Sequence, residues 1–320
     1  MRYRKFGRYD LKVSEIGFGA WAIGGPARLG EHVTGWGEVD DGVSLRTLEA
    51  CLDLGINFID TADAYGDGHS EELVGKAFSK RRDQVIICSK GGNRVTPEGK
   101  WTKDFSAEWI RQACEGSLRR LKTDYIDIYL FHTPRGHIEL VPEEFAVLES
   151  LKTEGRIRYY GISVATVEDG LKVLDCGCAE AIQVVYNVLE REAEDEFLPT
   201  AASQGVGIID RVPLASGFLT GKYGADVAFG ADDHRSQFSQ EMIERYAHQA
   251  ENLKELIADG SRTLAQLALQ FCLTNPAVSV VIPGAKTPEQ LRQNARASEL
   301  GPLSEAELTR INQIVSFSGA

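Results

Sequence analysis

Long apolar runs are missing from this sequence of 320 residues. No stretch reaches the roughly 18 apolar residues that suggest a membrane-spanning helix, and the N-terminal MRYRKFGRYD has no apolar core like that of a secretory signal peptide. Extended basic runs are missing too, and the net charge is −12, so an extended surface for nucleic acid is not expected. These absences predict a cytoplasmic protein that binds neither nucleic acid nor membranes.

Cysteine is sparse, with six residues scattered at positions 51, 88, 114, 176, 178 and 272. A chain of this length buries a core without disulfides, so we expect all six to be reduced interior residues. Cys176 and Cys178 form a C-x-C in a turn between a predicted helix and a predicted strand, without His or Cys partners at metal-binding spacing. We therefore expect two incidental thiols at this turn and no metal site.

Four polar residues lie at or just beyond the ends of three successive predicted strands. The stretch Asn57–Glu72, NFIDTADAYGDGHSEE, contains a short apolar strand that ends at Asp60 and a polar loop that holds Tyr65. The strand patterns VIICSK and IDIYLFH end at Lys90 and His132. An acid, a phenol, an amine and an imidazole therefore leave consecutive strands at the same end.

These four side chains together can donate a proton to an oxygen that becomes negative during a reaction. A tyrosine is a weak acid with an unperturbed pKa of about 10, and the nearby Lys90 ammonium favours the phenolate. Asp60 would keep Lys90 charged and in place, while His132 would orient a substrate oxygen or help to relay the proton. Hydride transfer to a carbonyl group fits this set.

Each of the four residues also has a structural explanation when it is taken alone. Asp60 would cap the next helix, Tyr65 would be a half-buried loop aromatic, Lys90 a surface charge, and His132 a satisfied interior histidine. Their joint placement at one end of three successive strands favours the catalytic interpretation.

Strand and helix patterns alternate along the chain, which indicates an α/β fold. Residues Arg4–Ser14 predict a β-hairpin that turns at Gly7–Asp10, and eight strand patterns follow, from EIGFGAW to SVVIPGA. We therefore predict one TIM (β/α)8-barrel domain over residues 1–320, with the hairpin as an N-terminal cap and long loops at the C-terminal face. The fragment GFGAWA imitates a dinucleotide-binding glycine pattern, but no helix pattern follows it at once.

The loop after the eighth strand carries the best cofactor signal. Thr287-Pro-Glu-Gln290 predicts a capping box with proline at the first helical position, and helix N-termini bind phosphate. Lys286, Gln290, Gln293 and Asn294 are expected to face one spot from successive turns. A capped amphipathic helix near a lysine is also common in proteins without such a ligand.

Four loops are expected to shape the substrate pocket, at residues 22–40, 91–105, 133–141 and 217–238. Trp21, Trp36 and Trp101 are the candidate pocket residues, and Trp36 has packing of its own loop as an equal alternative. The loop over residues 217–234 is long and glycine-rich enough to cover a cofactor.

Several long motifs resemble the aldo-keto reductases, namely GINFIDTADAYGDGHSEELVGKAF, ICSK, YLFH and VIPGAKTPEQLRQN. The resemblance spans nearly the whole chain and implies an NADPH-dependent carbonyl reductase on a TIM barrel, acting on a small-molecule aldehyde or ketone. Asp60, Tyr65, Lys90 and His132 match the family's catalytic tetrad, with Tyr65 as the proton donor. The resemblance also implies that the hydride leaves the pro-R side of nicotinamide C4.

The same resemblance implies a set of cofactor ligands. Ser163 and Gln183 match the nicotinamide-carboxamide ligands, Val164 replaces a usual asparagine, and Arg211 stands where many members stack an aromatic ring on the nicotinamide. The region of the adenosine 2′-phosphate and adenine has Lys286 as its main cation, so NADPH is expected and NADH is less favoured. The full set of expected cofactor residues is Ser163, Gln183, Arg211, Leu214, Gly217, Gly284, Lys286, Gln290, Gln293 and Asn294.

Two other classes of protein share parts of this pattern. The potassium-channel β subunits carry the tetrad and bind NADPH while working chiefly as partners, so a cofactor-sensing regulatory subunit with little turnover is the first alternative. A TIM-barrel lyase with Lys90 as a Schiff base is the second. The sequence leaves open the substrate, the direction of the reaction in the cell and the oligomeric state.

Overall fold

The computed structural model describes residues 1–29, 32–33, 35–96 and 98–317. Residues 30, 31 and 34 of the predicted pocket loop 22–40, residue 97 of the loop 91–105, and residues 318–320 of the predicted domain lie outside the described residues. The strands are β1 Tyr3–Lys5, β2 Lys12–Ser14, β3 Phe18–Gly19, β4 Arg28–Leu29, β5 His32–Val33, β6 Phe58–Asp60, β7 Ile86–Gly91, β8 Asn93–Val95, β9 Trp101–Lys103, β10 Ile126–His132, β11 Ile157–Ser163, β12 Ala181–Val185, β13 Gly207–Arg211 and β14 Val278–Val281. The α-helices are α1 Asp41–Asp53, α2 His69–Phe78, α3 Ala107–Leu121, α4 Pro142–Thr153, α5 Val167–Cys176, α6 Phe197–Gln204, α7 Gln240–Leu253, α8 Leu264–Thr274, α9 Pro288–Leu300 and α10 Glu305–Phe317.

Eight parallel strands form the barrel, in the order β14-β13-β12-β11-β10-β7-β6-β3. The first and last strands meet through parallel bridges between Ile16 and Val281 and between Gly19 and Gly284. The strands are buried on both faces for most of their length, as expected when helices cover a parallel sheet. The predicted (β/α)8 barrel is confirmed.

The β1–β2 hairpin covers the N-terminal end of the barrel. Phe6 and Val13 from the hairpin are fully buried in one apolar cluster with barrel residues such as Phe58 and Ile128, and the rings of Phe6 and Phe58 lie 6.3 Å apart. Gly7 has a φ of +56°, and a Cβ there would come within 2.4 Å of a backbone oxygen, so this turn requires glycine. The predicted hairpin cap is confirmed.

Helix starts follow the capping residues that the sequence contains. The Ser106 hydroxyl accepts the Trp109 N–H at the start of α3, and the Thr166 hydroxyl accepts the Asp169 N–H at the start of α5. Each such bond satisfies one of the backbone donors that a helix leaves free at its first turn.

The long polar loop after β7 has more structure than its sequence indicates. It folds into the antiparallel hairpin β8–β9, in which Asn93 pairs with Lys103 and Val95 with Trp101. Each strand has three residues, too few for a periodic pattern to register. This hairpin brings Asn93 and Lys103 to the mouth of the barrel.

The expectation that all six cysteines are reduced is wrong for two of them. Cys176 and Cys178 form a disulfide, with their Cα atoms 5.3 Å apart. Gly177 ends α5 in the left-handed conformation, at φ +63°, which turns the chain so that the flanking side chains converge. The other four cysteines are free and buried.

Two kinds of feature are not found in the described ranges. None of their helices has both the length and the apolar character needed to cross a membrane. Nor do these ranges hold a group of three or more His, Cys, Asp or Glu side chains that could bind a metal ion. In (β/α)8 barrels the functional groups lie at the C-terminal face, where β6, β7 and β10 end.

Candidate active site

Three neighbouring strands position the four predicted catalytic residues. Asp60 ends β6, Lys90 is the penultimate residue of β7, and His132 ends β10. These strands are adjacent in the barrel, in the order β10-β7-β6, and Tyr65 lies in the loop that follows Asp60. The rings of Tyr65 and His132 meet edge to face with centroids 5.8 Å apart, so the structure brings all four side chains together.

The ammonium group of Lys90 organises one half of this site. Lys90 is fully buried, and its Nζ donates to Asp60 Oδ2 at 2.8 Å, to the Thr61 carbonyl oxygen at 2.7 Å and to Tyr65 Oη at 3.3 Å. Burial alone disfavours the ammonium, but the charge of Asp60 outweighs it, and the pKa of Lys90 is raised above its ordinary value. Lys90 therefore stays charged with all three N–H donors used.

The bond from Lys90 decides which way the Tyr65 hydroxyl can act. An ammonium only donates, so Tyr65 Oη is the acceptor in this pair and keeps its own proton free to donate elsewhere. Burial raises the pKa of Tyr65, and the opposing charge of Lys90 does not cancel that rise. The sequence had predicted only the favourable effect of Lys90, because burial of the phenol cannot be read from a loop motif.

His132 is held as a neutral imidazole by its surroundings. Burial lowers its pKa far below the ordinary value, and the charges of Lys103, Lys90 and Arg211 lower it further. Asn93 Nδ2 donates to His132 Nδ1 at 2.8 Å. With Nδ1 as the acceptor, a neutral ring carries its proton on Nε2 and can donate that proton in a hydrogen bond.

Aromatic side chains line the space above Tyr65. The Trp21 ring stacks on Tyr65 with centroids 5.8 Å apart, and the Trp36 ring meets Trp21 edge to face at 5.2 Å. His234 contacts both indoles, at 4.6 Å from Trp21 and 4.2 Å from Trp36. Trp36 thus belongs to the aromatic group beside the site, while Trp101 lies on β9, where the Lys103 ammonium is 5.3 Å from its ring centroid.

The predicted nicotinamide ligands come from the next strands around the barrel. Ser163 ends β11 and pairs in register with Gln183 of β12, and Gln183 Nε2 donates to Asp60 Oδ1 at 2.8 Å. Arg211 at the end of β13 donates to the Val164 carbonyl oxygen at 3.0 Å, and its Nε is buried without a hydrogen-bond partner. An orphaned donor among these polar groups fits a bound polar ring such as nicotinamide.

The segment after β13 is strained. Val212, Ala215 and Ser216 have φ values of +60°, +45° and +53°, followed by Gly217 at +95°. Left-handed backbone is costly for a β-branched residue and concentrates at functional sites. Leu214, a predicted cofactor contact, lies inside this segment and packs against the core.

The predicted phosphate end forms a hydrogen-bonded group around the start of α9. The Thr287 hydroxyl accepts the Gln290 N–H. In a full capping box the Gln290 side chain would accept the Thr287 N–H. Here Gln290 Oε1 instead accepts the N–H of the preceding residue, Lys286, at 2.8 Å. Lys286 Nζ donates to the Trp36 carbonyl oxygen at 2.6 Å, which ties this loop to the loop after β3. Burial lowers the pKa of Lys286.

Gln293 and Asn294 are oriented differently from each other. Asn294 is buried and its Nδ2 donates to the Gly284 carbonyl oxygen at 3.3 Å. Gln293 Oε1 accepts from Gln266 of α8 at 3.1 Å. Helical spacing predicts that both side chains face one spot. The hydrogen bond with Gln266 instead directs the Gln293 side chain toward α8.

Sequence reasoning missed three residues of this site. Asn93, Lys103 and His234 all come from loops whose sequence carries no motif for them. Lys103 Nζ donates to the His132 carbonyl oxygen at 2.6 Å, and the pKa of His234 is lowered to about 4, chiefly by burial. A polar or charged residue in a long loop beside a predicted catalytic strand is the only signal that the sequence offers for such contacts.

The chain is similar to known proteins over nearly its whole length. The model of the Aldo/keto reductase family matches residues 15–316. The NADH-specific methylglyoxal reductase of Escherichia coli is 34% identical over 98% of both chains. A probable voltage-gated potassium channel subunit beta of Oryza sativa is 31% identical over 96% of this chain and 94% of its own.

A solved structure has the same architecture. The aldo-keto reductase AKR11C1 from Bacillus halodurans, in its holo form, superposes with a TM-score of 0.80 at 34% identity, covering 98% of this chain and 96% of its own. Both the family model and these relatives extend across nearly the whole sequence. The chain belongs to the aldo/keto reductase family and is an NAD(P)H-dependent oxidoreductase.

Proposed function

We propose that this protein reduces aldehydes or ketones to alcohols, with NADPH as the hydride source and Tyr65 as the proton donor. The observation that carries the proposal is the Lys90 ammonium, which is bonded to Asp60 and to Tyr65 Oη. This arrangement leaves the phenol proton available and stabilises the phenolate that its loss creates.

Each side chain has a definite role in the proposed reaction. A reduced nicotinamide held by Ser163, Gln183 and Arg211 would supply the hydride for the carbonyl carbon. Tyr65 gives its proton to the carbonyl oxygen, and Lys90 stabilises the resulting phenolate while Asp60 holds Lys90 in place. Neutral His132 donates a hydrogen bond from Nε2 to the same carbonyl oxygen, since Nδ1 is occupied by Asn93. Solvent then returns a proton to Tyr65.

The expected cofactor site extends from the barrel mouth to α9. Ser163, Gln183 and Arg211 would hold the nicotinamide, and Leu214 and Gly217 would lie beside the rest of the molecule. Lys286 would bind the 2′-phosphate that distinguishes NADPH from NADH, together with the start of α9. Because Arg292 is paired with Glu289, Lys286 is the main cation proposed to distinguish the two cofactors.

A fluorescence titration with NADPH and with NADH, followed by mixing of the preferred complex with aldehydes, tests the proposal. Methylglyoxal belongs in the aldehyde panel because a relative is named for it. We expect binding of NADPH and rapid oxidation of the bound cofactor on mixing. A protein that binds neither cofactor would contradict the proposal.

The regulatory-subunit alternative is supported by the similarity to plant potassium-channel β subunits. It predicts the same cofactor binding but negligible oxidation with every carbonyl compound. Single-turnover mixing separates the two hypotheses because it measures the oxidation of bound cofactor directly. In a steady-state assay, slow release of the oxidised cofactor would hide a fast chemical step.

A further inference from the structure

Three cationic side chains lie around the barrel mouth, in a protein whose net charge is −12. Lys103 lies on β9 with its Nζ against the His132 carbonyl oxygen. Arg135, in the loop after β10, is close enough for its charge to lower the pKa of Lys103. Arg211 lies across the mouth from them. Burial is the main cause of the low pKa of His132, and the charges of Lys103 and Arg211 lower that pKa further.

These cations are not neutralised by the carboxylates around them. In the part of the chain that the structure describes, no carboxylate forms an ion pair with Lys103, Arg135 or Arg211. Asp60 is already bonded to Lys90 and Gln183. Burial, reinforced by the charge of Glu71, raises the pKa of Asp63 to about 8, so this acid is largely protonated at neutral pH.

The location of Lys103 and Arg135 separates them from the proposed phosphate site. They belong to the loops after β7 and β10, the third and fourth strands of the eight, whereas the proposed phosphate ligands follow the seventh and eighth strands, β13 and β14. In a closed ring of eight strands these pairs are opposite each other. The Lys103–Arg135 side therefore faces the substrate rather than the cofactor phosphates.

Arg135 is also accessible and held in an uncommon conformation. It is exposed and has a φ of +53°. On its α5 side it lines a separate groove together with the carboxylates of Glu139, Asp169 and Asp175, so the oxyanion is expected on the opposite side of Arg135, toward Lys103. Strained backbone in a loop at the site mouth is a recurrent feature of ligand contacts. Its guanidinium can bind a carboxylate or phosphate through two parallel hydrogen bonds.

We propose that the preferred substrates are carbonyl compounds that carry an oxyanion group, a carboxylate or a phosphate ester, bound by Lys103 and Arg135. This inference rests on the proposed reductase function and names its substrate class. The carbonyl oxygen lies at Tyr65 and His132, and the oxyanion extends toward the β8–β9 hairpin and the loop after β10. Neutral aldehydes are also substrates, but they lack the contact of an oxyanion with Lys103 and Arg135.

The test compares 4-carboxybenzaldehyde with methyl 4-formylbenzoate, which masks the charge on the same framework. We expect kcat/KM to favour the carboxylate by about tenfold or more, the effect of one charge-assisted hydrogen bond. Lys103→Met and Arg135→Met are each expected to lower this preference by about tenfold. Lys100→Met, an exposed position on the same hairpin, is the matched control and should leave the preference unchanged.

The pH dependence gives a second readout. The pKa of Lys103 is lowered to about 8, mainly by burial and then by Arg135, with Asp63 opposing. Raising the pH from about 7 to 9 should therefore reduce the preference for the carboxylate in the native protein. Asp63, whose pKa is also about 8, gains a negative charge over the same range and adds to this decline. Lys103→Met should therefore keep only the part of the decline that Asp63 contributes, whereas Arg135→Met should retain the whole decline at a higher midpoint.

Failure of this inference can be distinguished from failure of the proposed function. If both aldehydes are reduced equally, or if neither variant changes their ratio, the oxyanion site is wrong and the reductase stands. If neither is reduced, the reductase is wrong, and calorimetric binding of 4-carboxybenzyl alcohol against its methyl ester decides the oxyanion site independently. A parallel comparison of glyceraldehyde with glyceraldehyde 3-phosphate determines whether phosphate esters are accepted as well as carboxylates.

Discussion

The two ends of the barrel use buried residues in opposite ways. At the N-terminal end, Phe6 and Val13 of the hairpin fill the barrel with apolar contacts. At the C-terminal end, Lys90 and Asp60 are buried as a charged pair, and neutral His132 lies among cations. Apolar burial stabilises the fold, whereas buried ionisable groups cost free energy unless their partners are in place. One barrel thus separates stability and chemistry between its two ends.

Removing the Tyr65 hydroxyl should produce the largest effect on activity. Tyr65→Phe is expected to lower kcat by ~10²–10⁴-fold, the usual contribution of a positioned general acid, while cofactor binding remains. Stopped-flow oxidation of bound cofactor and a fluorescence titration measure the two properties. Turnover at the native rate in this variant would remove Tyr65 from the proposed mechanism.

A change at the opposite end should affect stability instead. Phe6→Ala removes a fully buried ring and is expected to lower the free energy of unfolding by about 3–5 kcal/mol. Urea denaturation measures this loss, and kcat per folded active site should stay near native. Lys5→Ala, an exposed neighbour on β1, is the control. A fall in kcat as large as that of Tyr65→Phe would show that the ends are not independent.

The contact between Asn93 and His132 can be tested through the pH profile. Native kcat/KM should show no His132 ionisation near the ordinary imidazole value of about 6.5, because burial holds the pKa of His132 well below it. Asn93→Asp places a carboxylate on Nδ1, which raises that pKa. Above the new pKa the neutral ring keeps its proton on Nδ1 and loses the Nε2 donor, so activity should fall as pH rises.

The matched control for this variant is Asn93→Ala. It removes the same contact without adding a charge, so kcat/KM should decline by about tenfold or less without a new ionisation. Identical pH profiles for the Asp and Ala variants would indicate that Asn93 only packs against the ring. The backbone carbonyl of Asn93, which accepts the Trp109 indole N–H, is unaffected by either substitution.

The smallest expected effect concerns cofactor choice. Lys286→Ala removes the main cation proposed for the 2′-phosphate and should weaken NADPH binding by about tenfold, with NADH nearly unchanged. Arg292→Ala is the control, because Arg292 is exposed and paired with Glu289. Parallel titrations with both cofactors measure the ratio. Equal weakening of NADPH and NADH would indicate that Lys286 supports the loop through Trp36 and does not read the phosphate.

Much of the fold was predictable because local signals agree along the chain. Capping residues such as Ser106 and Thr166 begin α3 and α5, and the predicted alternation of strands and helices determines a barrel. The hairpin β8–β9 was missed because its strands are too short for a pattern. The Cys176–Cys178 disulfide was missed because it depends on the left-handed turn at Gly177.

The sequence by itself determined which chemical groups leave which strands, since strand order and spacing carry Asp60, Tyr65, Lys90 and His132 to one face. Only the tertiary structure decided how those groups are charged and bonded. Asn93 and Lys103 reach His132 across 39 and 29 residues of sequence, and burial lowers the pKa of its imidazole. Desolvation and long-range contacts are properties of the packed chain, so no local pattern encodes them.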